Sequence, residues 1–420
     1  MAAPWPSFFR IICSAFMENQ AIPSWFGRQV RRFLPVETVC FLAVWLMLMA
    51  AGRDRLFQDP GTFWHLAWGK QMLQTGHVPR TDTFSFTRWG QPVVDDQWLA
   101  EFLMVGVHRL ADWEGLLLLT AAALAGLYGW IGGRLVRAGI APLWAVLILA
   151  LVFLASAHNF HVRPLIASLI LQAAWFAGLL AVDAGRTPIW RLWLFVPLST
   201  LWANLHGGVL AGLGTLGLCS VFWMVQWGFR RRGPIQSHAQ ALLLVAILGG
   251  CLLAVLVNPY GLDLLRNWYA TLSMDLGRWI QEHRPWTVSE PAGWAALVLL
   301  VGYLAVLAPM VRQGQFQAAW AMPIVWFLLG MQRVRNLPLF AVVTALGIAE
   351  LVRCRLGERP LEGRKDPVEE DGGPCPSFSA ERGLSKYVIP ALLVGTTLAL
   401  QTAGCPAPLV GSPWARFSAE

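Results

Sequence analysis

Charge is what this chain has least of. Only 13% of its 420 residues are Asp, Glu, Lys or Arg, where soluble domains carry about 25%. With 56% of the residues hydrophobic, that scarcity excludes an ordinary soluble protein and indicates a polytopic membrane protein. Tyrosine is also rare, five residues against 23 tryptophans, and Trp favours the headgroup level, where its ring is dry and its N–H is wet. The seven cysteines (Cys13, Cys40, Cys219, Cys251, Cys354, Cys375 and Cys405) show no CxxC and no metal-ligand spacing. Cys40, Cys219 and Cys251 lie inside apolar runs, where Cys behaves as a small hydrophobe. The net charge is +8, yet the basic residues are spread through short loops and form no basic face. Topology control by Arg is therefore the reading, and nucleic acid is not an expected partner.

What is abundant is apolar sequence. A spanning helix needs about 20 mostly apolar residues. Segments that meet or approach this are 34–51, 115–133, 142–157, 164–182, 190–204, 208–228, 239–257, 293–311, 318–331, 336–352 and 387–403. The fold class expected is all-α, a polytopic helical membrane protein with about eleven transmembrane helices. Segment 190–204 is short, and 318–331 also suits a re-entrant or buried helix. Residues 1–33 read as a cytoplasmic or interfacial leader, without the continuous apolar core of a signal peptide. Residues 34–352 form the transmembrane domain, with a long first outer loop at 54–114. Residues 353–386 read as a disordered linker rich in Pro, Gly and Glu, and 387–420 as a final helix with a short tail.

A cytoplasmic N-terminus puts 19 of the 32 basic residues inside, at Arg28, Arg31, Arg32, Arg134, Arg137, Arg186, Arg191, Arg230 to Arg232, Arg312 and the 353–386 stretch among others. Of the 13 outside, six lie in the long first loop or just beside it, and long loops weigh little in the positive-inside rule. The same orientation gathers seven of eight histidines outside, His238 being the exception. The polar blocks QDPGTFWH to DDQWLAEFL (58–103), HNFHVRP, NLHGG, NPYG, EHRPW and RVRN all fall on that side. An outward-facing functional site, with the helices as scaffold, explains the sorting.

Within these blocks several residues admit two readings. Asp59 precedes Pro60 and suits an N-terminal cap of the following helix; at a membrane surface it also suits a general base or a metal ligand. Asp59 and His65 are six apart, not the i, i+4 of a helical metal pair, so Asp59 is the single metal ligand offered and a divalent cation the candidate cofactor. Asp82 suits a turn. Asp95 and Asp96 suit caps of an amphipathic interface helix over 97–110, on whose solvated side Glu101 is expected. Arg163, beside His158 and His161, has the planar fork that grips phosphate. Asn204 and His206 are held near the outer face by an almost loop-free turn, and His is costly in lipid. Asn258 and Tyr260 belong to a helix stop and turn. Arg333, Arg335 and Asn336 sit on the side where basic residues are uncommon, which indicates an anionic ligand.

The blocks together also resemble a known family. DPGTFWHLAWGKQMLQTGHVPRTDTFSFTRWGQPVVDDQWLAE is similar to the first-loop pattern of largely uncharacterised bacterial polytopic membrane proteins placed near the GT-C glycosyltransferases. RPLIAS, LWANLHGG, NPYG and RVRNLPLFA match later blocks in order, so the resemblance covers roughly residues 35 to 350. Where the family shows Glu-Trp, this chain has Glu282-His283. The resemblance implies a GT-C-like fold in the bacterial inner membrane, with Asp59 where that superfamily keeps its catalytic aspartate. It implies an inverting transferase moving a sugar from a polyprenyl-phosphate donor to an extracytoplasmic acceptor. The expected roles are Asp59, His65 and Asp82 in catalysis. Arg163, His161, Asn204, His206, Asn258, Tyr260, Glu282, Arg333, Arg335 and Asn336 are expected to bind substrate. The alternatives are a non-catalytic membrane scaffold of enzyme ancestry and a transporter or flippase of a lipid-linked or anionic solute.

Overall fold

The computed structural model describes residues 35–229, 233–357 and 381–402, the last without the side chains of 381–386 and 400–402. Cys13, Cys375, Cys405, Arg28, Arg31, Arg32, Arg230 to Arg232, the leader 1–33 and most of the expected linker lie outside the described residues. Within them the chain is all-helical, with one isolated antiparallel bridge between Thr81 and Pro92.

The helices are α1 (Val36–Ala51), α2 (Gly61–Thr75), α3 (Trp98–Arg137), α4 (Pro142–Ser156) and α5 (Leu165–Asp183). They continue as α6 (Phe195–Leu205), α7 (Val209–Gly228), α8 (His238–Ala254), α9 (Leu262–Ser273) and α10 (Pro291–Arg312). The series closes with α11 (Met322–Gln332), α12 (Leu337–Gly357) and α13 (Glu381–Thr402). The expected spans fall on helical stretches, yet among the described residues six are long and apolar enough to cross a bilayer: 98–137, 142–159, 165–183, 209–228, 291–312 and 334–357. Four more are apolar but shorter, and 190–204 divides into a 3-10 stretch, Ile189–Leu194, and the eleven-residue α6. These six make the chain compatible with a multi-pass membrane protein; the figure of eleven spans does not follow from helix length.

One expectation holds and two change here. The expected amphipathic helix over 97–110 and the apolar span over 115–133 both lie within α3, which runs for 40 residues. Non-helical angles at Ala111 and Asp112, the latter at φ 50°, break it into an amphipathic first part and an apolar second part. Residues 353–357 belong to α12 and 381–386 to α13, so the ends of the expected linker are helical. The tryptophans are not confined to the interface. Trp175, Trp202, Trp223 and Trp320 are fully buried. Trp202 donates to Ser168, Trp223 to Asp183 and Trp326 to Thr215.

Ion pairs gather at two distinct sets of helix ends. Small residues bring α1 and α3 together: a Cβ at Gly129 would lie 2.7 Å from the Glu37 carbonyl, and one at Gly132 2.8 Å from Cys40 Sγ. Close approach of this kind stands in for the hydrophobic drive that helices lack in lipid. It sets Glu37 against Arg137, with which it forms an ion pair. At the same end Arg186 grips the buried Glu350 with both guanidinium nitrogens, at 2.7 and 2.8 Å, and Arg353 adds a bond at 2.7 Å. At the other end Val162 N–H donates to the Leu56 carbonyl and Thr62 Oγ1 donates to that of Val162, knitting the start of α5 to the end of α1 and to α2.

Glu350 is only 4% exposed, so losing its main partner strands a buried charge. Arg186→Ala is expected to cost about 3 kcal/mol, read as a lowered unfolding midpoint of the detergent-solubilised chain; an unchanged midpoint would show that Arg353 alone suffices.

Candidate functional site

At the end of the bundle where α1 stops and α5 begins, Arg163 stands between two carboxylates. Its Nη1 lies 2.5 Å from Asp59 Oδ2 and 2.6 Å from Glu282 Oε1. These partners are 104 and 119 residues distant in sequence. Asp59 also accepts the Gly61 N–H through Oδ1 at 2.6 Å, so it caps the start of α2 while holding the guanidinium. Gly61 is required for this fit: a Cβ there would meet Asp59 Oδ1 at 2.8 Å and approach the Arg163 guanidinium. The expected bond from Asp59 to the helix start is thus present, and its other oxygen pairs with Arg163.

Below this ion cluster lies a buried acidic one. His65 Nδ1 lies 2.7 Å from Glu101 Oε1, with Glu101 2% exposed. The Glu101 carboxyl in turn faces that of Asp95. Sequence reasoning placed Glu101 on a solvated helix face; the structure corrects this, because the face toward α2 is packed, and a Cβ at Gly69 would collide with the Glu101 backbone. Asp96 accepts the Trp268 indole N–H at 2.8 Å, and Gly207 leaves it room. Burial raises the carboxyls of Asp95 and Asp96 above the usual range. Burial, then the positive charge of Arg163, lowers His65 to about 4, against the opposing pull of Asp59.

His206 is part of the same field. Its Nδ1 accepts the Gly208 N–H at 2.8 Å and lies 2.8 Å from Ser168 Oγ, which fixes the tautomer with the proton on Nε2. Burial first, then Arg335 and Arg163, lower it to about 3. Asn204 receives the Trp98 indole N–H at 2.7 Å and donates to the carbonyls of Thr200 and Val257. Trp98 and Asn204 also line an open groove of about 530 Å³, whose other walls include Leu99, Leu201, Val257 and Pro259.

Arg335 Nη1 lies 2.6 Å from His283 Nε2. Burial, then Arg335, hold that ring down to about 4. The Arg335 backbone is pinned by Asn159 at 3.2 Å, and Val334 by His158 at 3.2 Å and by the Arg284 carbonyl. His161 bridges the carbonyls of Arg55 and His158. The blocks at 59–65, 95–101, 158–163, 204–208, 282–284 and 333–335 are therefore one contiguous cluster.

Other expected site residues are engaged elsewhere. Asp82 accepts the N–H groups of Phe84 and Ser85, a turn, and hydrogen bonds from Ser85 hold its carboxyl below the usual range. Nothing in those contacts brings Asp82 to Arg163. Asn258 closes its own turn through Val255, Gly261 and Tyr260. The Tyr260 hydroxyl donates to the Pro79 carbonyl at 2.7 Å, and Arg80 lies over its ring, which straps the first loop onto α9. Asn336 caps α11 at Leu329, and Arg333 reaches only the Leu272 carbonyl at 3.5 Å. Among the described residues no group of three His, Cys, Asp or Glu is placed to hold a metal ion.

No family model matches the chain, and neither a curated protein nor a solved structure does. The family resemblance thus rests on the residue pattern alone.

The His206 ring provides a pH test with a defined sign. Its folded pKa is below the unfolded value of about 6.5, so as pH falls through 6.5 the unfolded state binds a proton that the folded state refuses. At pH 5 this costs on the order of 2 kcal/mol. His206→Asn keeps an acceptor and removes the titration. The midpoint of the variant relative to wild type is expected to rise between pH 7 and pH 5; a constant difference would mean that His206 is not held neutral by the fold.

Proposed function

We propose that the chain is a membrane-embedded transferase that moves a sugar from a polyprenyl-phosphate donor to an acceptor at one membrane face. The observation that carries this is the Asp59–Arg163–Glu282 cluster with Arg335 beside it. A guanidinium held from two sides is pre-oriented to receive a phosphate without reorganising, and such preorganisation is the main source of electrostatic stabilisation in group transfer. Asp59 and Glu282 balance the charge of Arg163 until a leaving phosphate takes over part of that role. His283 and the Asn159-pinned backbone do the same for Arg335. The open groove beside Trp98 and Asn204 suits the apolar chain of the donor.

Convergence of the polar blocks favours an enzyme over a scaffold, which has no need to gather them. A transporter would place polar residues in broken helices near mid-membrane; these polar residues lie at helix ends. The excess of Arg at the Glu37, Arg186 and Glu350 end supports a cytoplasmic assignment for that end and an extracytoplasmic one for the site.

Arg163→Lys keeps the positive charge and removes the fork. Transfer of radiolabelled sugar from membrane lipid extracts is expected to fall by roughly 100-fold or more, the usual loss on removing one donor to developing charge. Transfer equal to wild type would remove Arg163 from the reaction, and the reading with it.

A further inference from the structure

We propose that Asp95 and Glu101 share a single proton and thereby hold His65 as the proton acceptor of the site. The inference rests on the transferase reading for its chemistry but on the geometry of the buried cluster for its existence.

The starting point is two orphaned atoms. Asp95 Oδ2 and Glu101 Oε2 are both buried with no donor assigned to them, although the two carboxyls face each other. Two ionised carboxylates in a dry contact repel strongly, and such pairs retain one proton between them. A proton on Glu101 Oε2, donated to Asp95 Oδ2, satisfies both orphans at once. The remaining contacts agree: Asp95 Oδ1 already accepts the Gln97 N–H at 2.9 Å, and Glu101 Oε1 accepts from His65 Nδ1. The pair then carries one negative charge, spread over two residues and directed at the imidazole.

That arrangement fixes the His65 tautomer. With Nδ1–H committed to Glu101, Nε2 carries the lone pair, and among the described residues it has no hydrogen-bond partner. The charged and titratable groups around the ring are Glu101, Asp95 and Asp96 from the start of α3, Asp59 ahead of α2, Arg163 ahead of α5, and His206 ahead of α7; Tyr260 faces the acid pair. Asp59, the expected base, has one oxygen on the Gly61 N–H and the other on Arg163. It is a positioning residue for Arg163, and His65 is left as the side chain with a free basic atom.

The acceptor's O–H bond breaks as its oxygen forms a bond to the sugar's anomeric carbon, and the proton passes to His65 Nε2. The bond from that carbon to the phosphate oxygen breaks, and its electron pair leaves with the phosphate, toward Arg163 and Arg335. The imidazolium so formed faces the single charge of the Asp95–Glu101 pair, which stabilises it. Glu101 and Asp95 act through His65 and are positioning residues.

The test has two readouts on the full-length, detergent-purified protein. Infrared difference spectra at neutral pH between wild type and Glu101→Gln, and between wild type and Asp95→Asn, are expected to show loss of a protonated carboxylic-acid C=O stretch, while Asp82→Asn loses none. A band that survives both substitutions overturns the shared proton, whether or not the chain transfers sugar. In the transfer assay Glu101→Gln is expected to lower kcat at least tenfold with little change in KM, with partial recovery in Glu101→Asp. An unchanged kcat overturns the role of the pair even if the infrared band is lost. Absence of transfer in wild type would count against the transferase reading alone.

Discussion

One guanidinium organises the upper end of this molecule. Arg163 begins the turn into α5, and to lie there it must be neutralised, because its surroundings are half-buried and a lone charge in such a place is costly. Asp59 from just ahead of α2 and Glu282 from the segment before α10 supply that neutralisation. Each carboxylate brings its own stretch of backbone with it. Asp59 fixes the start of α2, hence the position of His65; Glu282 fixes His283, hence Arg335. The ion cluster thereby ties together segments that hydropathy alone would leave independent.

The bilayer makes such ties necessary. Helices in lipid gain nothing from hiding apolar faces from one another, so association relies on close backbone approach and on polar contacts. This chain uses both, and it separates them in space. Glycines at 129, 132 and 133 let α1 lie against α3 in the middle and at the Glu37 end. Polar contacts gather at the helix ends, Arg186–Glu350 at one and Arg163–Asp59–Glu282 at the other. The buried tryptophans take a third role, offering indole N–H donors to Asp96, Asp183 and Ser168 from apolar rings that pack as core.

Legibility in the sequence followed the range of each interaction. Apolar runs are local, so the positions of the helices could be read from hydropathy, and the turn at Asp82 and the stop at Asn258 from their own neighbours. Lengths were harder, because the ends of α6 and α11 are set by the bonds of Asn204 and Asn336, which apolar content does not encode. The Arg163 site could be suspected from a fork-shaped cation beside two histidines at a helix start, but not its partners. Glu101 was missed for a stated reason: an acid near the start of an amphipathic helix is ordinarily solvated, and its partner His65 is 36 residues away. A faint signal existed. Asp95, Asp96 and Glu101 place three acids within seven residues, and Val105 stands where an i+4 cation would support a solvated Glu.

The central claim is that Asp59 and Arg163 depend on each other energetically and not merely by proximity. A double-mutant cycle on unfolding stability, with Asp59→Asn, Arg163→Gln and the pair combined, measures this directly. A coupling of about 1 to 3 kcal/mol is expected for residues sharing one ion network. Costs that simply add, within about 0.5 kcal/mol, would contradict the account.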